Sequence, residues 1–389
     1  MINILYLHAG AEMYGADKIL LQLVSNLDRT KFNPIVILPN EGVLKGKLIE
    51  NDVRTTVIPY PILRRKYFNV GGIIKYIAEY SKSCRLISEY LKKNGIKIGI
   101  IHVNTMAVLE GIILKKKLKA KLLWHVHEII VKPRIVFEIL CFFIGKYADK
   151  CIAVSKAVSN HLLGSNLINK DKLQVIYNGV DSTKFNSNIE IDYLFDEFEV
   201  PRNSIRVGMI GRVNSWKGQD DFLDATTDLL NEIPNVYLFI IGSAFEGEEW
   251  RVKKLKKRIK ETKFSERIIF SEFRNDINAI HNFFDIFVLP STNPDPLPTV
   301  VLESMASGKP VVAYEHGGVK EMVKNNYNGL LVEPVKPQYI KSALIKLLQN
   351  RELRISFGLN SVKRQISLFD NSVFQKKFEK EYVKLKRSN

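Results

Sequence analysis

Short apolar runs alternate with longer stretches whose apolar positions recur every three or four residues. INILYL (2–7) has the pattern of a buried strand, ADKILLQLVSNL (16–27) of an amphipathic helix and PIVILP (34–39) of the next strand. RTTVIP (54–59), IGIIHV (98–103), KLLWHV (121–126), KCIAVS (150–155) and LQVIYNGV (173–180) extend the strand series, and 73–93 is a long helix. The acidic, weakly patterned stretch 186–204 interrupts the alternation. A second series follows: strands at 205–213, 236–242, 267–273, 285–291, 309–314 and 329–334. Helices are expected at about 217–231, 299–307, 337–349, 352–360 and 371–387. Strands separated by helices pair in parallel with helices on both faces. The predicted fold is α/β, with two doubly wound, Rossmann-like halves facing each other across a cleft. Ligands in such sheets bind beyond the carboxyl ends of the strands, so chemistry is sought in the loops after each strand.

The length of 389 residues suits two domains. Their predicted bounds are 1–185, a linker at 186–204, 205–365, and a closing helix in 366–389. The chain opens directly on a strand pattern, so no secretion signal is expected. The most apolar segment, IVFEILCFFIG (135–145), is too short to span a bilayer and carries Glu138. Cys84, Cys141 and Cys151 are scattered, without a CxxC pair, which suggests neither a disulfide framework nor a zinc site and fits a reducing cytoplasm. The net charge is +17, and residues 1–150 hold 24 Lys+Arg against 12 Asp+Glu. Such an excess is either a solvated Lys-rich surface or a face that approaches an anionic partner.

Several familiar motifs are absent. GAEMYGADK (10–18) is superficially like a P-loop but lacks GK[ST], and there is no GxGxxG, GxSxG, HExxH or Asp-x-Asp pair. GRVNSWKG (211–218) places Arg212 and Lys217 at a strand-to-helix turn. They are either two surface cations or a pair that neutralises a diphosphate. In NPDPLPTVVLESMASGKPVV (293–312), Pro294, Pro296 and Pro298 hold an extended loop around Asp295 and launch a helix near Thr299. Glu303 then lies one turn into that helix. Two acids eight residues apart, one in a stiffened loop and one on a helix, can bind separate hydroxyl pairs of one polyhydroxylated ligand.

GRVNSWKG, PDPLPTVVLESMASGKPVVA, GGVKEMV and GLLVEP, preceded by YGADKILLQL, WHVHE, AVS and YNGVD, form an ordered set. The set resembles the retaining family 4 glycosyltransferases of the GT-B fold. The resemblance covers most of the chain and implies a nucleotide-diphosphate sugar donor. It implies that Arg212 and Lys217 bind the diphosphate and that the backbone around Gly15 approaches it from the other domain. Glu303 matches the acid that holds the ribose, and Asp295 the acid that contacts donor-sugar hydroxyls. The backbone of Leu297, Thr299 and Val300 would lie against sugar and phosphate, and His127 would lie near sugar and acceptor. The resemblance further suggests that the closing helix packs back toward the first domain. The chain departs from the commonest pattern in having Asp rather than Glu at 295 and Pro at 298 where Gly is frequent, which bears on donor identity.

Other residues carry alternatives. His125 and His127 share one face of a strand, with His127 the functional candidate and His125 a packing one. Glu128 either orients its loop or faces water, and Trp216 either caps the site or packs. Asn178-Gly179 is read as a turn, and Gly317-Gly318 as a glycine turn opening a helix that carries Glu321. The expected activity is metal-independent transfer of a sugar to an acceptor hydroxyl, with no cofactor, in cell-surface polysaccharide or glycolipid synthesis. The catalytic set is Asp295, His127, Arg212 and Lys217. Expected partners are the nucleotide sugar, a saccharide or lipid-linked saccharide, and an anionic membrane surface, but no nucleic acid, since aromatic residues are not interleaved with the basic ones. The location is cytoplasmic, with peripheral attachment to the inner face of the membrane. An epimerase or phosphorylase of the same fold, and a non-catalytic carbohydrate-binding partner, are the alternative functions.

Overall fold

The structure, a computed structural model, describes residues 1–13 and 15–387, with Arg65 described by its backbone alone. Tyr14 of the YGADK motif lies outside the described residues. The chain divides into two compact units, residues 1–178 joined by the chain from Ser372 onward, and residues 179–371.

The first unit holds strands β1 (Ile2–Leu7), β2 (Phe32–Leu38), β3 (Arg54–Val57), β4 (Ile100–Val103), β5 (Lys121–Val126), β6 (Lys150–Ala153) and β7 (Leu173–Val175). They form a parallel sheet in the order β3-β2-β1-β4-β5-β6-β7. Its helices are α1 (Gly15–Ser25), α2 (Val43–Glu50), α3 (Val70–Lys93), α4 (Gly111–Leu118), α5 (Arg134–Tyr147) and α6 (Lys156–Leu163). The apolar runs follow from the topology, because strands covered on both faces have no polar side. In β1, Ile4, Leu5, Tyr6 and Leu7 are all fully buried.

The second unit holds β8 (Ile205–Ile210), β9 (Val236–Ile241), β10 (Ile268–Ser271), β11 (Ile286–Leu289), β12 (Val311–Tyr314) and β13 (Gly329–Val332). They form a parallel sheet in the order β10-β9-β8-β11-β12-β13. Its helices are α7 (Asp192–Glu197), α8 (Gln219–Thr226), α9 (Leu229–Glu232), α10 (Glu249–Lys260), α11 (Ile277–Phe283), α12 (Thr299–Ala306), α13 (Val319–Met322), α14 (Pro337–Leu348) and α15 (Arg351–Phe369). The helix expected across 217–231 is interrupted after Thr226. Thr226 and Thr227 donate their hydroxyls to the carbonyls of Phe222 and Leu223, four residues back, a bond that competes with a straight helix.

The segment expected as a linker, 186–204, instead belongs to the second unit. Leu194 and Phe195 of α7 are buried, Phe195 meets Phe283 edge-on at 5.0 Å, and Phe198 meets Phe239 at 5.4 Å. Arg274 donates to Glu197 and to Asp276. The acidic composition of the stretch hid a short apolar helical face.

The closing helix α16 (Asn371–Arg387) presents Phe374, Phe378 and Tyr382, four residues apart, to the core of the first unit. The Tyr382 hydroxyl lies 2.9 Å from that of Tyr6 on β1 and 2.7 Å from His102 Nδ1 on β4. Truncating either buried Phe to Ala would cost about 3–5 kcal/mol, so the first unit depends on the end of the chain. Among the described residues, no helix is long and apolar enough to cross a membrane.

Candidate active site

In each sheet the strand order reverses once, between β1 and β4 and between β8 and β11. At such a switch point the adjoining loops diverge and leave a crevice beyond the strand ends. Both sets of candidate side chains occupy these places.

In the second unit, the loop after β8 carries Arg212 and Lys217 and the loop after β11 carries Asp295. Lys217 Nζ lies 2.8 Å from Asp295 Oδ1, with side-chain exposures of 17% and 7%. Asn214 shapes the first loop by accepting the N–H groups of Trp216 and Lys217 on its Oδ1. Thr292 donates its N–H to the Trp216 carbonyl at 2.7 Å, joining the two loops by backbone. Trp216 is half-buried, with its ring 4.3 Å from Lys217 Nζ. Gly218 has φ +80°, and a Cβ there would overlap the Pro290 carbonyl, so this approach of the loops requires glycine.

The loop after β12 closes the other side. Gly317 has φ +63° and sits against the Asp295 peptide, while Gly318 donates its N–H to the Asp295 carbonyl at 2.8 Å. Arg364 donates to the carbonyls of Glu321 and Met322, fixing α13 beside this turn. Leu297 is buried, and Thr299 and Val300, half-buried, open α12. Glu303, one turn further on, is buried, and its Oε2 lies 3.1 Å from Nε2 of the fully buried His281. Arg212 stacks on Phe245, its guanidinium carbon 3.4 Å from the ring centroid, and its carbonyl accepts from Gln219. Lys217 and Asp295 are thus brought into direct contact, while Glu303 and Arg212 have their own partners.

In the first unit, His8 follows β1, Asn104 follows β4 and His127 follows β5. His8 Nε2 pairs with Asp17 of α1, and its Nδ1 lies 3.1 Å from Asn104 Nδ2. Asn104 Oδ1 lies 3.1 Å from His127 Nε2. His127 is half-buried; loss of hydration and the neighbouring His8 push its pKa down to about 3, so it is neutral at physiological pH. His125 is fully buried between His102 and Phe378, and burial also holds it well below the ordinary histidine range. Glu128 turns inward, accepting from the Thr105 hydroxyl and from the His127 N–H at 3.0 Å, and orients its loop. Gly15 opens α1 at an exposed position, and a Cβ there would meet nothing within 4 Å.

Several partners were not singled out from the sequence: His281, Asn214, Phe245, and the group His8, Asp17 and Asn104. The Asn-x-x spacing at 214 was a readable turn signal. The others come together only through the fold.

Two family models match. Residues 13–184 match Glycosyltransferase Family 4, and residues 191–364 match Glycosyl transferases group 1. An uncharacterized glycosyltransferase of Methanocaldococcus jannaschii is 31% identical over 62% of this chain and 59% of its own length. The UDP-Gal:alpha-D-GlcNAc-diphosphoundecaprenol alpha-1,3-galactosyltransferase of Escherichia coli is 25% identical over 89% of this chain and 92% of its own. The chain therefore spans well under two thirds of the first relative and nearly all of the second. Anabaena HepE, solved in complex with UDP, shares the fold with a TM-score of 0.85 at 24% identity, covering 98% of this chain and 100% of that one. A sucrose-phosphate synthase of Thermosynechococcus elongatus gives 0.78 at 19% identity over 99% of both chains. Two matched models, in sequence order over nearly the whole chain and on two parallel-sheet units, place this protein in the glycosyltransferases of the GT-B fold, with a family 4 domain followed by a group 1 domain.

Proposed function

We propose that the protein transfers a hexosyl unit from a nucleoside diphosphate sugar to a hydroxyl of a saccharide carried on a lipid, with retention at the anomeric carbon and without a metal. The observation that carries this reading is the Lys217–Asp295 pair at the second switch point, with Glu303 one turn along the adjoining helix. In the proposed reaction the bond from the anomeric carbon to the diphosphate oxygen breaks, and its electron pair leaves with the diphosphate. A bond forms to the acceptor oxygen, and the acceptor's proton passes to the departing phosphate oxygen. Lys217 and Arg212 stabilise the charge that develops on the diphosphate, where fixed donors act most strongly. Asp295 holds Lys217 in place and faces the sugar hydroxyls, and Glu303 receives the ribose hydroxyls. Both acids already have cationic or imidazole partners, which suits holding roles better than a carboxylate pair flanking one bond.

The Escherichia coli relative is named for UDP-galactose and a diphosphoundecaprenol-linked sugar. We carry that class to this chain: a UDP-hexose donor and a polyprenyl-diphosphate-linked acceptor, as in polysaccharide or glycolipid assembly. A surface of the first unit supports a lipid-borne acceptor. On α3, Val70, Ile73, Ile74 and Ile77 lie 51–78% exposed along one stripe, with Phe68 beside it. Arg64 and Lys66, both exposed, lie just before the stripe in the chain. Aliphatic side chains accompanied by cations suit the interface of an anionic bilayer.

Incubating the protein with a labelled UDP-hexose and polyprenyl-diphosphate sugar in EDTA tests the reaction. A labelled lipid-linked disaccharide is the expected product. An epimerised nucleotide sugar or a sugar phosphate would reassign the reaction, and an unaltered donor would remove the catalytic reading.

A further inference from the structure

The polar cluster at the first switch point runs in one direction. At one end Asp17 carries a carboxylate, which only accepts hydrogen bonds, so the facing His8 Nε2 is the protonated nitrogen. In the neutral ring His8 Nδ1 is a lone pair, and Asn104 Nδ2, 3.1 Å away, donates to it. The same Asn104 Nδ2 faces the Ala16 carbonyl at 3.4 Å, another group that only accepts, which favours the same orientation of the amide. Its Oδ1 therefore points to His127 Nε2 at 3.1 Å and requires a proton there. His125 Nδ1, 3.2 Å from the same nitrogen, becomes a second acceptor for that proton. His127 Nδ1 is left unprotonated, with no partner among the described residues.

We infer that Asn104 passes the polarity of the Asp17–His8 pair to His127, holding His127 as its Nε2–H tautomer so that Nδ1 accepts a hydrogen bond from a ligand hydroxyl. Asp17, His8 and Asn104 are positioning residues in this scheme, and the group that meets the ligand is His127. The burial that keeps the His127 ring neutral sustains an acceptor at Nδ1, which an imidazolium would abolish. That the hydroxyl belongs to a sugar rests on the proposed function. The tautomer does not.

The test separates the two. Nitrogen-15 NMR of the full chain with labelled histidine reads each ring nitrogen directly, and His127→Gln identifies the resonance. In the wild-type protein without ligand at pH 7, Nε2 of His127 is expected to be protonated and Nδ1 bare. A protonated Nδ1, or an even mixture, overturns the relay without any variant being needed. Asp17→Asn can donate to His8 or accept from it, and is expected to turn the single His127 tautomer into a mixture. An unchanged single tautomer in that variant would show that Asp17 does not set the polarity. Asn104→Ala is expected to lower kcat about tenfold with donor KM changed less than about twofold. A change confined to donor KM would place Asn104 in donor binding instead. If the wild-type tautomer is as stated but His127→Gln transfers sugar at the wild-type rate, the hydroxyl contact is refuted while the relay stands.

Discussion

Lys217 Nζ and Asp295 Oδ1, 78 residues apart in sequence, meet at 2.8 Å and tie the loop after β8 to the loop after β11. Both side chains are largely withdrawn from water, so removing one strands the other. Lys217→Met is expected to lower kcat about 100-fold or more, as loss of a fixed donor does. It should also destabilise the fold by about 3 kcal/mol, because Asp295 is left without its counter-charge. Lys217→Met combined with Asp295→Asn should be more stable than the sum of the two single losses, and urea unfolding of the four proteins checks this coupling.

Glu303 has a different assignment and a different signature. A group that holds the ribose holds it equally in the ground and transition states, so Glu303→Gln should raise donor KM about tenfold and leave kcat nearly unchanged. Initial-rate kinetics over a range of donor concentrations separates this from the behaviour expected of Lys217→Met.

The α3 stripe predicts salt-sensitive attachment to membranes. The protein should sediment with vesicles containing anionic phospholipid at low ionic strength, and less so as salt screens the cations. Replacing Ile73 and Ile77 with Glu should abolish sedimentation while leaving transfer to a short-chain, soluble acceptor unchanged.

Stability should fall between pH 6.5 and 8 because of Glu110. Burial raises the pKa of this fully buried acid from 4.5 to about 8. Between those values the folded protein keeps a proton that the unfolded chain releases, so stability is lost as pH rises toward 8, at about 1.4 kcal/mol per pH unit. His102, His125 and His127, held neutral by burial, act in the opposite sense and only below their ordinary range. There the unfolded chain takes up protons that the folded protein refuses, and stability falls as pH falls. Glu110→Gln should flatten the alkaline arm of a denaturation profile and, because Glu110 opposes the histidines between pH 4.5 and 6.5, steepen the acid arm there.

Much of the architecture was legible because fully covered parallel strands have to be apolar throughout. Each strand from β1 to β13 falls on a run expected from the pattern, with ends shifted by a few residues, as at 34–39 against Phe32–Leu38. The helical face of 192–197 was lost in acidic composition. Lys217, Asp295 and Glu303 were named from the sequence, but neither the contact between the first two nor the histidine partner of the third was. His281, between Ile280 and Asn282, belongs to no motif of its own. Asn104 and His8, 96 positions apart, meet only because β1 and β4 are neighbours at the switch point. Periodicity reports which residues are inside, and contact between distant loops is decided by strand order.

Whether the loops after β8 and β11 hold a diphosphate is decided by a crystal structure of the protein grown with UDP. Phosphate oxygens are expected within hydrogen-bonding distance of Lys217 Nζ and the Arg212 guanidinium, with the ribose hydroxyls on Glu303. Nucleotide bound away from these loops, or a diphosphate held by a divalent cation with Lys217 turned away, would contradict this assignment.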